Sequence, residues 1–412
     1  MADVSIATGV DAPAFDPFAI AGRDDRYAVM AAYRSRDGHA YGLPPYPELD
    51  RALYVFTNEL IHNALKHPAL LQAPPGDYDE VRETLTQHAV WETLSKSVLL
   101  NDPPRHEALR RPMTEFFSRR NINRLEAWLE GFADDLMAEC LRAGRFDITQ
   151  DLAVPFAVGA LSRVLGLPID DPWHLKRLTA PLTNALDMRR DPLGDEVDEA
   201  CGRIIEMIED GIRRRRPSDT PCLIDIMEDL VARGAWTRDT LIANCVIFYF
   251  AGQETVVDSL GSHVLALNRF PAQKALLSSR PELLRQAVEE LLRFEPPVQY
   301  SGFRIAAHAT RLNGIEIEAG EAVVPVVAAG NRDPAAFDAP EDLDITRTAL
   351  PHISFGTGIH ICLGIHLAKL ELKIALKTLF HNHPNWQLTD DRPVRRPGVL
   401  FNGYTSVPAQ AV

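Results

Sequence analysis

Cysteine is scarce in this chain of 412 residues: there are five, Cys140, Cys201, Cys222, Cys245 and Cys362, an odd number scattered too widely for a disulfide framework. Most of them read as buried thiols. Positive charge is also in short supply, with 43 Lys and Arg against 57 Asp and Glu and a formal net charge of -14. A nucleic-acid binder is not expected from that balance, because phosphate affinity rests on clustered cations. The opening MADVSIATGVDAPAFDPFAIAGRDD has neither the basic start nor the apolar run of an export signal, which points to the cytoplasm. The longest apolar stretch, Leu241 to Gly252, is too short for a membrane span and is interrupted by Asn244, so no membrane anchor is expected. Internal repeats and low-complexity linkers are missing too. The expectation is one mainly α domain with small β-sheets (α+β) over residues 1–412, monomeric, with residues 1–20 as a flexible tail.

What is present is mostly helical. Ala52 to Thr57 reads as a strand and Glu59 to His67 as a short helix, followed by a Pro-rich loop at Ala73 to Asp79. Asp102-Pro-Pro-Arg105 announces a helix beginning near His106. From Ile122 to Leu292 the pattern is helix, broken at Asp170 to Pro172, Arg190 to Gly194 and Arg216 to Asp219. Within it, Thr237 to Phe270 predicts a helix about 50 Å long at roughly 1.5 Å per residue. Its centre, Val246 to Ala251, is apolar all round, which marks a core helix. Arg311 to Gly320 alternates like a hairpin, and an irregular stretch from Asn331 to Pro351 follows.

The chemistry concentrates in Phe355-Gly-Thr-Gly-Ile-His-Ile-Cys-Leu-Gly364. Leu363, Leu367, Leu370 and Ile374 recur at helical spacing beyond it, so Cys362 is placed at a helix N-terminus, where the dipole and free N–H groups favour a thiolate. Gly356, Gly358 and Gly364 leave room for a large flat group to approach the backbone. A buried thiol beside a glycine-rich turn fits the same residues. A dinucleotide fingerprint fails because Ile361 stands where its third glycine is expected. Zinc and iron–sulfur sites lack further thiolates, although His360 and His366 are near. Nucleophilic catalysis would need a base and an oxyanion site besides the thiol. Haem needs only one axial thiolate, and its propionates need basic partners, for which His360, His106, Arg110 and Arg304 are candidates.

At this point the residues resemble the haem-binding signature of the cytochrome P450 superfamily, with Ile365-His-Leu-Ala-Lys369 continuing the likeness and Lys369 standing where arginine is usual. Glu290-Leu-Leu-Arg293 resembles the family's Glu-x-x-Arg motif, Asn331-Arg-Asp-Pro334 and Leu343-Asp-Ile-Thr-Arg347 its meander, and Ala251-Gly-Gln-Glu-Thr255 its oxygen-activation motif. Asp102-Pro-Pro-Arg-His-Glu-Ala-Leu-Arg110 resembles the helix whose His and Arg reach a propionate. The five motifs stand in the family's order across roughly residues 50 to 405.

The resemblance implies a single-domain P450 fold with haem b between the central helix and the helix after the Cys loop. Cys362 would be the axial iron ligand, and Phe355, Gly356 and Gly364 would form the loop around it. It also implies a soluble bacterial-type monooxygenase that takes O2 and two electrons from a ferredoxin or flavodoxin, fed by an NAD(P)H-dependent reductase, and hydroxylates a lipophilic small molecule, in keeping with secondary metabolism. Oxidative coupling, ring closure or haem binding without turnover are the alternatives. Thr255 would hydrogen-bond the reacting oxygen and Glu254 would relay protons, with Gly252 and Ala251 opening the groove; Thr255 bonding a carbonyl and Glu254 finding a basic partner is an equally structural reading. Glu290 and Arg293, one turn apart on one face, would form a buried network with Arg347. The resemblance places the substrate pocket at Trp91, Leu94, Ile247, Phe250, Val298, Tyr300 and Phe401. Arg105, Arg110, Arg111, Arg119 and Arg120 would attract an acidic ferredoxin, whereas Arg213 to Arg216 read as a solvated helix end.

Overall fold

A computed structural model describes residues 14–46, 49–72, 88–188, 190–191, 193–215, 221–348 and 350–412. The Ala73 to Asp79 loop, the break at Arg216 to Asp219 and the first 13 residues of the expected tail lie outside the described residues.

The architecture is organised by the helix Arg238–Arg269, which is buried along most of its length. Thr237 caps it by accepting from Thr240 N at 3.1 Å, and Phe270-Pro271 ends it. Because its sequence is apolar all round, other helices cover it on several sides: Val154–Leu165, Pro172–Leu186, Asp195–Arg214, Ala89–Leu94 and Ile365–Lys377 all pack against it. Their apolar faces form one continuous core that includes Leu161, Ile204, Leu260 and Leu367. Among the described residues, two helices have the length and composition to cross a membrane, Ile148–Leu165 and Arg238–Arg269, and their most apolar 18-residue stretches are 67% and 78% buried within the protein, as core helices are.

A small mixed sheet flanks this helical mass. Its strand order is His39–Gly42, Ala52–Val55, Ala322–Pro325, Arg304–Ala306 and Leu70–Leu71, with a parallel pairing of Ala52 to Ala322. The strand expected to reach Thr57 stops at Val55. Thr57 instead accepts from Leu60 N at 3.2 Å and caps the helix Asn58–Lys66. The hairpin pairs Thr310–Leu312 with Ile315–Ile317 around Asn313-Gly314, both at positive φ (48° and 89°), as a tight two-residue turn requires.

The expected tail is shorter than residue 20. Phe15 is 1% exposed, packs on Tyr33, Tyr54 and Phe56, and donates its backbone N–H to Tyr41 O at 3.0 Å. Asp16 then caps the helical turn Pro17–Ile20. One large aromatic side chain supplies the burial that fixes this segment.

Candidate active site

The Cys loop is a set of turns laid against the helix Asn58–Lys66. Gly356 and Gly358 have φ of 66° and 74°, and a Cβ on Gly358 would come within 2.8 Å of Leu65 O, so glycine is required there twice over. Cys362 N donates to Phe355 O at 2.9 Å, which closes the loop. The following helix is Ile365–Lys377, so Cys362 precedes it rather than sitting in its first turn. The sequence expectation of a thiol acidified by the dipole needs correction. Burial pushes the Cys362 thiol up, with the Gly364 N–H and Arg110 opposing. An axial metal would offset that penalty by binding the thiolate.

Basic and imidazole groups gather beside the loop. The His106 and His360 rings stand 4.3 Å apart, and Arg110 Nη2 donates to Ile361 O at 2.5 Å. His106 is 2% exposed with both ring nitrogens unpartnered, and burial, His360 and Arg110 bring its pKa down to about 4. His360 Nε2 lies 3.5 Å from Asp102 Oδ1. Arg304 is 3% exposed; among the described residues its hydrogen bonds go to the carbonyls of Gly302 and Phe303, and burial lowers its pKa to about 10, with Asp102 opposing. A buried guanidinium bonded only to carbonyls, beside a buried histidine with no partner, suits two anionic arms. The residues present therefore fit a haem with its propionates. Phe355 sits half-buried under Lys369, whose Nζ is 5.2 Å from the ring centroid and 2.7 Å from Glu289 Oε1.

In the central helix one turn departs from the general burial. Ala251 is exposed and Gly252 and Thr255 are half-buried, although Phe250 and Gln253 are 4% and 0% exposed. Thr255 Oγ1 donates to Ala251 O at 3.0 Å, the i−4 back-bond. Gly252 lets Leu161 approach, since a Cβ there would lie 3.0 Å from Leu161 Cδ1. Glu254 is 1% exposed and held on both oxygens: Lys176 Nζ and Arg396 Nη1 reach Oε2 at 2.6 and 3.0 Å, and Thr179 Oγ1 lies 3.3 Å from Oε1. Arg396 also bonds Asp258, one turn further along. Sequence reasoning anticipated a basic partner without naming Lys176, Thr179, Asp258 or Arg396. Asp258 could have been found, because an acid four residues after Glu254 shares its face; the others come from distant segments.

Behind the loop, Glu290 and Arg293 are both fully buried and doubly bonded at 2.7 Å. Arg347 Nε reaches Glu290 Oε1 at 3.2 Å, and Arg293 also donates to the carbonyls of Asn331, Pro340 and Asp342. Charge-assisted bonds thus supply the backbone partners that the irregular 331–351 stretch does not make for itself.

The expected pocket residues do not all come together. Ile247, Phe250, Trp91, Leu94 and Phe401 belong to the large core with Val298 packed against it; Phe250 and Phe401 rings are 5.8 Å apart, and Val298 bridges Phe401. Tyr300 departs: it is 2% exposed in a separate cluster, its ring 6.3 Å from that of Tyr54. Of the cations expected to meet a partner, Arg105, Arg111, Arg119 and Arg120 are exposed, while Arg110 is turned to the Cys loop. Arg213 and Arg214 are spent on Asp210 and Asp170.

Fold and site together define a haem-thiolate enzyme, and the cytochrome P450 family model matches residues 156–397. The chain belongs to the cytochrome P450 family and is a P450 monooxygenase of bacterial type. It is 32% identical over 320 residues to the vitamin D(3) 25-hydroxylase of Pseudonocardia autotrophica, covering 77% of this chain and 78% of that one. The crystal structure of CalO2 superposes with a TM-score of 0.87 at 31% identity, covering 97% and 99% of the two chains. The crystal structure of P450BioI in complex with a hexadec-9Z-enoic acid ligated acyl carrier protein matches at 0.81 and 27% identity, over 93% and 97%. The family brings a haem-thiolate cofactor, O2 and a redox partner.

Proposed function

We propose that this chain, as one domain, is a cytoplasmic monooxygenase that binds haem b and hydroxylates a lipophilic small molecule of secondary metabolism. The observation that carries the proposal is the coexistence of a lone loop thiol, Cys362, a buried His106 whose ring nitrogens have no partner among the described residues, a buried Arg304 bonded to the carbonyls of Gly302 and Phe303, and an opened turn of the central helix at Ala251 to Thr255.

Cys362 would hold the haem through its thiolate, and His106, Arg110, His360 and Arg304 would hold the propionates. When bound, the haem supplies the activation of O2 that permits insertion of one oxygen atom into a C–H bond. Thr255 commits its hydroxyl proton to Ala251 O, so its lone pairs are offered to a water or reacting O–H in the groove. Glu254 takes protons from solvent by way of Lys176, a half-buried ammonium 2.6 Å from its Oε2, with Thr179 on the other oxygen. Substrate is received by Ile247, Phe250, Val298 and Phe401, an apolar wall suited to a lipophilic molecule. Exposed Arg105, Arg111, Arg119 and Arg120 would attract an acidic ferredoxin.

The test is turnover of the haem-loaded protein with a ferredoxin, its reductase and NAD(P)H against a panel of lipophilic compounds under labelled O2. One labelled oxygen atom in a product supports the reading; coupled or cyclised products without label would replace hydroxylation by oxidative coupling.

A further inference from the structure

A second cavity shares no residue with the Cys loop. It lies between the first helical turn at Ile20 to Gly22, the segment Gln299-Tyr300 and the C-terminal hairpin from Arg395 to Asn402, and holds about 320 Å³ with its mouth included.

Three of its lining side chains, each more than nine-tenths buried, have a polar atom without a partner among the described residues: Arg26 Nε, Gln299 Oε1 and Tyr300 Oη. The first two are fixed at their other ends, Gln299 by Nε2 donating to Pro296 O at 2.8 Å and Arg26 by Nη2 donating to Asn402 Oδ1 at 3.0 Å. Buried groups held in place and left unsatisfied are costly unless something enters to meet them.

The charges that face this space decide what enters. Arg26 and Arg269 share one carboxylate, Glu295. Arg395 donates to Asn402 Oδ1 at 2.7 Å and Tyr404 Oη at 2.9 Å, both neutral. Arg396 is matched by Glu254 and Asp258, with Lys176 on the same Glu254. Asp187, against Gly398, is spent on the N–H groups of Met188, Val399 and Leu400. Of the three lining cations, Arg26 and Arg396 have carboxylate partners, and Arg395 is the one whose partners among the described residues are neutral. Arg26 Nε and the Arg395 guanidinium are donors, Tyr300 Oη is a donor or acceptor, and Gln299 Oε1 can accept from a bound water.

We infer that this cavity is a binding site for a carboxylate group, apart from the Cys loop, that meets the candidate substrate wall through Phe401, which lines the cavity and packs on Phe250, and meets Glu254 through Arg396. The carboxylate comes either from a free short acid or from the acidic end of a longer lipophilic substrate.

The test is calorimetric titration of the haem-loaded protein with acetate, acetamide and decanoate, repeated on Arg395→Gln and Tyr300→Phe, with the thermal midpoint of each variant checked first without ligand. Saturable binding of acetate but not acetamide, weakened about tenfold or more in Arg395→Gln and also weakened in Tyr300→Phe, supports the site. Decanoate that additionally shifts the haem absorption identifies the substrate's own carboxylate as the source; acetate binding with no such shift from either acid identifies a free acid. Equal behaviour of acetate and acetamide, no saturable binding, or binding unchanged in both folded variants overturns the site and leaves the cavity to water.

Discussion

Arg293 lies against Glu290 with two bonds of 2.7 Å, Nε to Oε2 and Nη2 to Oε1, in a place where both side chains are 0% exposed. The pair ties the helix Leu284–Phe294 to the irregular stretch that leads into the Cys loop. Glu290→Gln keeps the volume and removes the charge. It should cost about 3–5 kcal/mol, because a buried guanidinium then loses its counter-ion. Urea unfolding of the two proteins measures this; a loss under 1 kcal/mol would show the pair to be dispensable.

Thr255→Ala removes the hydroxyl from the opened turn while leaving Ala251 O to bond other groups. The variant should consume reductant at a comparable rate, yet convert less of it into oxygenated product and more into hydrogen peroxide. Product and peroxide yields per NAD(P)H decide the matter, and unchanged coupling would remove Thr255 from the proton path.

Lys176→Met breaks the contact at 2.6 Å with Glu254 while Arg396 still holds the carboxylate. If protons enter by Lys176, the kinetic solvent isotope effect on product formation should rise, with substrate affinity little changed. An isotope effect equal to the parent's would exclude this entry.

His263 is 0% exposed on the central helix, and burial brings its pKa down to about 4 from 6.5, with the Glu295 carboxylate and backbone opposing. The folded state therefore keeps the ring neutral where the unfolded chain would protonate it. Its contribution is full above pH 6.5 and is lost as pH falls from 6.5 towards about 4, by about 3 kcal/mol at most. His263→Leu should flatten the pH dependence of unfolding in that window. A parallel pH profile in the variant would assign the acid sensitivity elsewhere.

Gly358→Ala asks for a side chain at φ 74°, with its Cβ 2.8 Å from Leu65 O. A destabilisation of about 1–3 kcal/mol is expected, with weaker haem retention, read by thermal unfolding and by dilution of the loaded protein. Full retention would mean that the loop can shift without loss.

Local patterns made much of this molecule legible. The central helix predicted from Thr237 to Phe270 is Arg238–Arg269, because an all-round apolar run with a threonine cap and a terminal proline has one physical solution. The Asn313-Gly314 hairpin followed from turn chemistry, and Glu290 with Arg293 from helical spacing. What escaped was set by tertiary contact. Lys176 and Arg396 reach Glu254 from 78 and 142 residues away, and nothing near either marks it as a partner. Tyr300 was assigned to the pocket by its segment, but it is buried beside Tyr54, a distant residue that nothing in its own segment marks. The Cys362 thiol was expected to be acidified by a helix start, whereas the loop holds the cysteine ahead of Ile365 and desolvation there outweighs the Gly364 N–H and Arg110.

The central claim is that Cys362 is the axial thiolate of a bound haem, and the most direct measurement is the absorption spectrum of the reduced, haem-loaded protein under carbon monoxide, taken beside Cys362→His. A Soret band displaced far to the red in the parent and absent in the variant is the expected result. A parent band like that of histidine-ligated haem, or one that survives the substitution, would contradict it.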